Sequence, residues 1–149
     1  MQKFKFRLQT VLKVRTIEME QQAKVLALAY REVARARDEL IHLQQLQEKE
    51  VLRVKQLTLS GQFSKQLLEL SLAYRNEVKR WEFRKVDELK KLSQKVEIER
   101  TKLIEKEKKK KALEKLEERD RENYEDEQKQ MERKEMDEVA STRFNSRER

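Results

Sequence analysis

Leu59-Ser-Gly-Gln-Phe-Ser64 is the stretch that decides the fold of this chain. It holds Gly61, the only glycine among 149 residues, and the sequence contains no proline. Folds built from strands and tight turns need glycine for positive φ and proline for their turns, so the rest of the chain is predicted to be long helix. Gly61 can adopt the left-handed conformation after one helix, and Ser60 or Ser64 can cap the next. We therefore predict a turn at about residues 59–65.

The first arm carries a heptad pattern that is typical of a coiled coil. Alternating steps of four and three residues give fifteen positions, of which eleven are apolar. The positions are Leu8, Leu12, Arg15, Met19, Gln22, Leu26, Ala29, Val33, Ala36, Leu40, Leu43, Gln47, Glu50, Val54 and Leu57. The small residues Ala29 and Ala36 would let a partner helix approach closely. This row is predicted to be the face that the first helix buries, and its polar members Gln47 and Glu50 mark either a register-setting defect or a local shift of the seam onto Leu46 and Val51.

The second arm shows two apolar rows in place of one. The first consists of Leu67, Leu70, Tyr74, Val78 and Trp81, and the second runs through Leu89, Leu92, Val96, Leu103, Leu113, Tyr124 and Met131. Eight residues separate Trp81 from Leu89, one more than a heptad, so the rows do not share a register. We expect a local change of supercoil near Arg84 and Lys85.

The predicted fold class is all-α, with two long helices forming an antiparallel coiled-coil hairpin. A single domain would cover residues 1–149, with one helix at about 4–58, another at about 65–140 and a flexible tail at 141–149. Its interhelical seam would include Leu26, Val33, Leu40, Leu43 and Trp81. A turn centred near Gly61 brings Leu43 opposite Trp81 and Leu8 near Lys115. The second helix would then have no intramolecular partner after Leu116.

Charge follows the same division of the chain. The net charge is +8, and Lys and Arg exceed Asp and Glu by five in residues 1–60 and by seven in residues 61–111. Residues 112–149 instead carry an excess of four acidic side chains. The run Glu105-Lys-Glu-Lys-Lys-Lys-Lys111 could bind nucleic acid, but glutamates at helical spacing favour a solvated helix face. We predict no nucleic-acid partner.

The composition indicates a non-enzymatic protein. The single histidine, His42, lies off the heptad row, one glycine cannot build a phosphate-binding loop, and there is no cysteine for a disulfide or thiolate metal site. We expect no catalytic residue, cofactor or metal. The apolar runs are too short to span a bilayer, and the basic start lacks the apolar region of a signal peptide. These features predict a cytoplasmic protein.

Apolar residues outside the row mark two candidate contact surfaces. Near the turn, several cannot all enter a two-helix seam, and they indicate a partner site, self-association or fraying of the rod tip. They are Leu46, Leu52, Leu59, Phe63, Leu67, Leu68, Leu70 and Leu72. The unpaired end keeps a helical composition with Tyr124, Met131, Met136 and Val139. A partner that grips this end would bury them.

Three stretches carry a resemblance to a known family, and the likeness covers essentially the whole chain. They are Phe4-Lys-Phe-Arg-Leu-Gln-Thr-Val-Leu-Lys-Val-Arg15, Ala112-Leu-Glu-Lys-Leu-Glu-Glu-Arg119 and Arg133-Lys-Glu-Met-Asp-Glu-Val-Ala140. The chain resembles the FliJ family, coiled-coil components of the bacterial flagellar type III export apparatus. The most specific match is Lys134-x-Met136-Asp137-Glu138-x-Ala140, near the C-terminus.

The resemblance implies a hairpin similar to the γ-subunit stalk of rotary ATPases. The end with both termini would enter the hexameric export ATPase and promote its assembly and activity. Its predicted contacts there are Phe4, Phe6, Leu8, Tyr124, Met131, Lys134, Met136, Asp137 and Glu138. Leu46, Leu68, Leu72 and Tyr74 would contact the cytoplasmic domain of the export gate, and export chaperones are further partners. The protein would reach the inner face of the membrane through partners only.

Two other functions stay open at this point. One is the YscO-type counterpart in injectisomes, a similar coiled coil that serves a secretion ATPase. The other is a structural coiled coil that associates with nucleic acid through its lysine run.

Overall fold

The chain folds as two long helices packed together, which confirms the predicted all-α helical hairpin. The computed structural model describes residues 2–148, with α1 at Gln9–Leu59 and α2 at Lys65–Arg147. Their contacts divide the chain into two compact units. The terminal unit comprises residues 1–20 and 104–149, and the turn unit comprises residues 21–103.

In the connection between the helices, Gly61 ends the first helix and Ser64 caps the second. Gly61 has a φ of 74°, and its N–H bonds to the Thr58 carbonyl at 3.3 Å while the Gln62 N–H bonds to the Leu57 carbonyl at 3.0 Å. These two bonds form a Schellman motif, which satisfies the last carbonyls of α1. Ser64 caps α2, because its Oγ accepts the Leu67 N–H at 3.2 Å.

In the turn unit, α1 buries the row that its heptad pattern predicts. Every row position from Gln22 to Leu57 is buried or half-buried. The core consists of Ala29, Val33 and Val96, with Leu26, Leu89 and Leu92 packed against it. Ala29 and Ala36 are almost completely buried, as expected where small side chains let two helices approach.

The buried row of α2 differs from the one predicted. In the turn unit it follows steps of four and three through polar as well as apolar residues: Ser71, Arg75, Val78, Glu82, Lys85, Leu89, Leu92, Val96, Glu99 and Leu103. The row passes Arg84 in unbroken steps of four and three, so the buried face lacks the shift of register on which the expected change of supercoil rested. Leu70, Tyr74 and Trp81 lie beside the row and are exposed, so Trp81, predicted as a seam residue, lies at the edge of the seam and not in its buried row.

Interhelical hydrogen bonds explain why α2 can hold Glu82, Lys85 and Glu99 at these positions, whereas the Nε of Arg75 is buried without a hydrogen-bond partner among residues 2–148. The Gln22 side-chain amide donates to the Glu99 carboxylate at 2.5 Å and to the Glu99 carbonyl at 3.1 Å. The Gln47 amide donates to Glu82 at 2.8 Å. Polar groups placed between two helices cost little when they are paired, whereas unpaired ones would destabilise the hairpin.

The terminal unit begins with a segment that is not helical. Helix α1 starts at Gln9 and not near Phe4, and residues 2–6 precede a turn at Arg7 and Leu8. Phe6 is buried, and the ring of Phe4 packs on Tyr124 with centroids 5.7 Å apart. The aromatic contacts stabilise this non-helical path, and it keeps the charged side chains of Lys3 and Lys5 exposed.

This N-terminal segment also changes where α2 loses its partner. A chain that is not helical advances about 3.3 Å per residue against 1.5 Å in a helix, so residues 2–8 cover more of α2 than a helix would. Half-buried positions continue through Leu116, Asp120 and Tyr124 to Gln128, and every described residue beyond is exposed. The unpaired segment therefore begins after Gln128 and not after Leu116. Helix α2 continues to Arg147, past the predicted end near residue 140.

Candidate partner-binding surfaces

The side chains that could contact another molecule lie on the surfaces of the two helices. Among residues 2–148, no group of three or more His, Cys, Asp and Glu side chains is arranged to hold a metal ion. His42 is exposed and lines an open groove together with charged residues of both helices. We therefore interpret the exposed surfaces of the two helices as contacts for other proteins.

The first surface is the end of α2, residues 129–148, which we call the C-terminal segment. All its side chains are exposed, including those of Met131, Lys134, Asp137 and Glu138, and Met136 is 72% exposed. Met136 and Val139 line one hollow with Glu132, Glu135, Ala140 and Arg143. An apolar strip flanked by both signs of charge is typical of a helix that docks on a partner.

The other residues predicted to contact the ATPase pack within the terminal unit. Phe6 is only 7% exposed, and Phe4, Leu8 and Tyr124 are half-buried. Tyr124 donates a hydrogen bond to the Gln2 carbonyl. The Arg121 guanidinium lies 5.5 Å from the centre of the Phe4 ring. In this conformation these side chains hold the N-terminal segment on α2, and Phe6 is not available to a partner.

The second surface is a groove in the turn unit, which we call the Trp81 groove. It has a volume of about 870 Å³, and both Leu43 and Trp81 line it. Trp81 is 41% exposed, so part of its indole is open to a partner. The remaining lining residues are Arg31, Ala34, Arg35, Asp38, Glu39, His42, Arg84, Lys85 and Glu88.

A charge network fixes one side of the Trp81 groove. The Lys85 ammonium lies 2.5 Å from the Glu39 carboxylate and 2.7 Å from that of Glu88. Hydrogen bonding to Lys85 lowers the pKa of Glu39, and the same bond is the main cause that raises the pKa of Lys85. Within residues 2–148, Arg31 and Arg84 form no ion pair, so the groove offers two cations beside the indole.

Heptad spacing separates the four residues predicted to contact the export gate. Tyr74 precedes Trp81 by one heptad, and Leu46 follows Glu39 by one heptad, so both lie on the flank of the Trp81 groove. Leu72 follows the buried residue Ser71 and lies on the opposite flank. Leu68 is exposed and follows Leu67, the half-buried residue that precedes Ser71 by one helical turn. The four residues therefore do not form one surface.

The comparison with known protein families decides the assignment. The family model described as the flagellar FliJ protein matches residues 4–149. The chain belongs to the FliJ family. Comparisons with curated proteins and with solved structures gave no match. As a FliJ-family member, the chain is a structural component of the flagellar export apparatus, and its partners belong to that apparatus.

The hydropathy of the two helices bears on whether either could span a membrane. Neither helix, within residues 2–148, has an apolar stretch long enough to cross a bilayer.

Proposed function

We propose that this FliJ-family chain is the stalk of the flagellar export ATPase. The end that carries both termini inserts into the ATPase hexamer and promotes its assembly and activity. The chain also links the ATPase to the export gate and to export chaperones. The observation that carries the proposal is the C-terminal segment, a helix of about 28 Å that has no partner in residues 2–148 yet carries apolar side chains.

The energetics of the C-terminal segment support a role in binding. A helical segment of this length is marginal in water when no tertiary contact stabilises it. Met131, Met136, Val139 and Phe144 are all exposed. Burying such side chains contributes roughly 1.5–3 kcal/mol each, so a protein that encloses the segment gains affinity and orders it. Lys134, Asp137 and Glu138 then set orientation and the rate of encounter.

Copurification tests the ATPase contact. The cognate export ATPase, purified from the same organism, should bind the chain and hydrolyse ATP faster in its presence. An ATPase that neither binds the chain nor changes its rate would contradict the proposal.

For the export gate, the Trp81 groove is the better-supported contact surface. It combines an exposed indole with the unpaired cations Arg31 and Arg84, and interface hot spots are enriched in Trp and Arg. Tyr74 and Leu46 lie on the same flank and extend the surface towards the turn. We place the gate contact on this flank and not on Leu68 and Leu72.

A pair of matched variants tests this placement. Trp81→Ala should weaken binding of the gate's cytoplasmic domain by about 30-fold, because a hot-spot aromatic contributes about 2 kcal/mol or more. Leu72→Ala removes a comparably exposed apolar side chain on the other flank and should change the affinity less than twofold. Titration calorimetry on both variants gives the measurement. A stronger loss of affinity with Leu72→Ala would place the gate contact on Leu68 and Leu72 and contradict the placement on the Trp81 groove.

A further inference from the structure

A single line of cations follows the outward face of α2 in the terminal unit. The side chains of Lys108, Lys111, Lys115 and Arg119 are separated by three, four and four residues, which places one cation on each helical turn. The line spans about 16 Å at 1.5 Å per residue. We call these four residues the basic row.

The basic row is not used in the ion pairs of α2. All four side chains are exposed, and none takes part in an ion pair among residues 2–148. Neighbouring cations do pair within the helix: Lys110 with Glu114 at 3.5 Å and Arg121 with Glu117 at 3.4 Å. Within the described residues, the four cations of the basic row therefore stay without a carboxylate partner, whereas Lys110 and Arg121 on the same helix are paired.

The surroundings of the row indicate the chemistry of its partner. Glu107, which is half-buried, and Glu118, which is exposed, follow the same helix along one side of the row, and Glu114 between them is paired with Lys110. A membrane surface or a nucleic-acid backbone spreads phosphates in two dimensions, so it would meet these carboxylates as well as the cations. A partner helix with one carboxylate per turn has the same 5.4 Å repeat as the basic row and can avoid the glutamates.

We propose that the basic row docks on a carboxylate-lined protein surface of the export ATPase. This inference rests on the proposed function, because the row lies in the unit that the ATPase would receive. The contact is separate from the apolar strip of the C-terminal segment. Exposed charge pairs speed association and set register more than they add affinity, so the row guides entry while the apolar strip holds the complex.

The experiment compares two variants of the full chain that lose four positive charges each. In the row variant Lys108, Lys111, Lys115 and Arg119 are changed to Gln. In the control variant Lys24, Lys49, Lys79 and Lys90, exposed and unpaired lysines of the turn unit, are changed to Gln. Glutamine keeps helix propensity, and circular dichroism checks that both variants fold. Binding to the purified export ATPase is followed by stopped flow at several salt concentrations.

The row variant should associate about tenfold more slowly than the wild type at ~50 mM salt, and the difference should disappear at ~500 mM. The control variant should stay within twofold of the wild type. Equal slowing in both variants, or no slowing in either, would overturn the proposal that the basic row docks on the ATPase. It would leave the proposed stalk function intact. A wild-type chain that does not bind the ATPase would overturn both. Binding to phosphatidylserine vesicles or to duplex DNA that only the row variant loses would assign the row to phosphate.

Discussion

A chain truncated after Gln128 is expected to lose stimulation of the export ATPase almost completely. The truncation removes the C-terminal segment, which has no intramolecular partner among the described residues. The apolar side chains that the ATPase would bury are lost with it, and their combined contribution of several kcal/mol corresponds to more than a hundredfold in affinity. Steady-state ATP hydrolysis with increasing amounts of each chain measures the effect.

The truncated chain should otherwise stay folded. It keeps the seam and the packing of Phe4 on Tyr124, so its helicity per residue and its unfolding midpoint should be close to those of the full chain. Met136→Ala combined with Val139→Ala should weaken stimulation roughly tenfold in the full chain, while Gln130→Ala should leave it within twofold. Full stimulation by the truncated chain would move the ATPase contact to the paired part of the hairpin.

Val78→Asp is expected to destabilise the hairpin by roughly 3–5 kcal/mol. Val78 is 0% exposed and is the largest fully buried side chain in the described residues. An aspartate at this position would replace an apolar side chain by a buried charge between two helices. The unfolding temperature should therefore fall by roughly 10 °C or more. Thermal unfolding followed by circular dichroism gives the comparison.

Val139→Asp serves as the matched control for this prediction. It makes the same chemical change on α2 at a side chain that is about half exposed. Its unfolding temperature should remain within about 2 °C of the wild type, since exposed substitutions usually change stability by less than 0.5 kcal/mol. Equal loss in both variants would mean that burial of Val78 does not hold the helices together.

The sequence was sufficient for the hairpin, its turn and the buried face of α1. Gly61 has the positive φ that only glycine adopts easily, and Ser64 caps α2. The buried row of α1 could be predicted because most of its members are apolar. Strict heptad spacing also identified its polar members, Gln22 and Gln47, and both make interhelical hydrogen bonds.

The buried face of α2 was harder to predict because several of its members are polar. A row chosen by apolar residues alone continues from Val78 to Trp81. A row chosen by strict steps of four and three continues from Val78 to Glu82 and Lys85, which are the residues that the structure half-buries. The free energy of burying these two side chains depends on Gln47 and Glu39, which come from α1. A pattern within one helix does not show that such partners exist on the other helix. The buried row of α2 could have been predicted only by stepping back from Val96 by four and three residues, whatever the polarity of the residue at each step.

The N-terminal segment was missed for a related reason. Lys3-Phe-Lys-Phe-Arg7 alternates charged and aromatic residues, and a period of two is typical of an extended chain. Its partner Tyr124 lies far away in the sequence, so the alternation alone did not outweigh the helical composition around it. Phe4 is half-buried against Tyr124 and Phe6 is buried, although both were predicted to contact the ATPase.

Site-specific photocrosslinking from Met136 tests the central claim most directly. A benzophenone amino acid is placed at Met136 in one chain and at Leu59, an 81% exposed side chain beside the turn, in another. Each chain is irradiated with the purified export ATPase hexamer, and the products are separated by mass. The stalk assignment predicts a crosslinked ATPase subunit from Met136 and none from Leu59. Crosslinking from Leu59 alone would contradict the insertion of the terminal end into the ATPase.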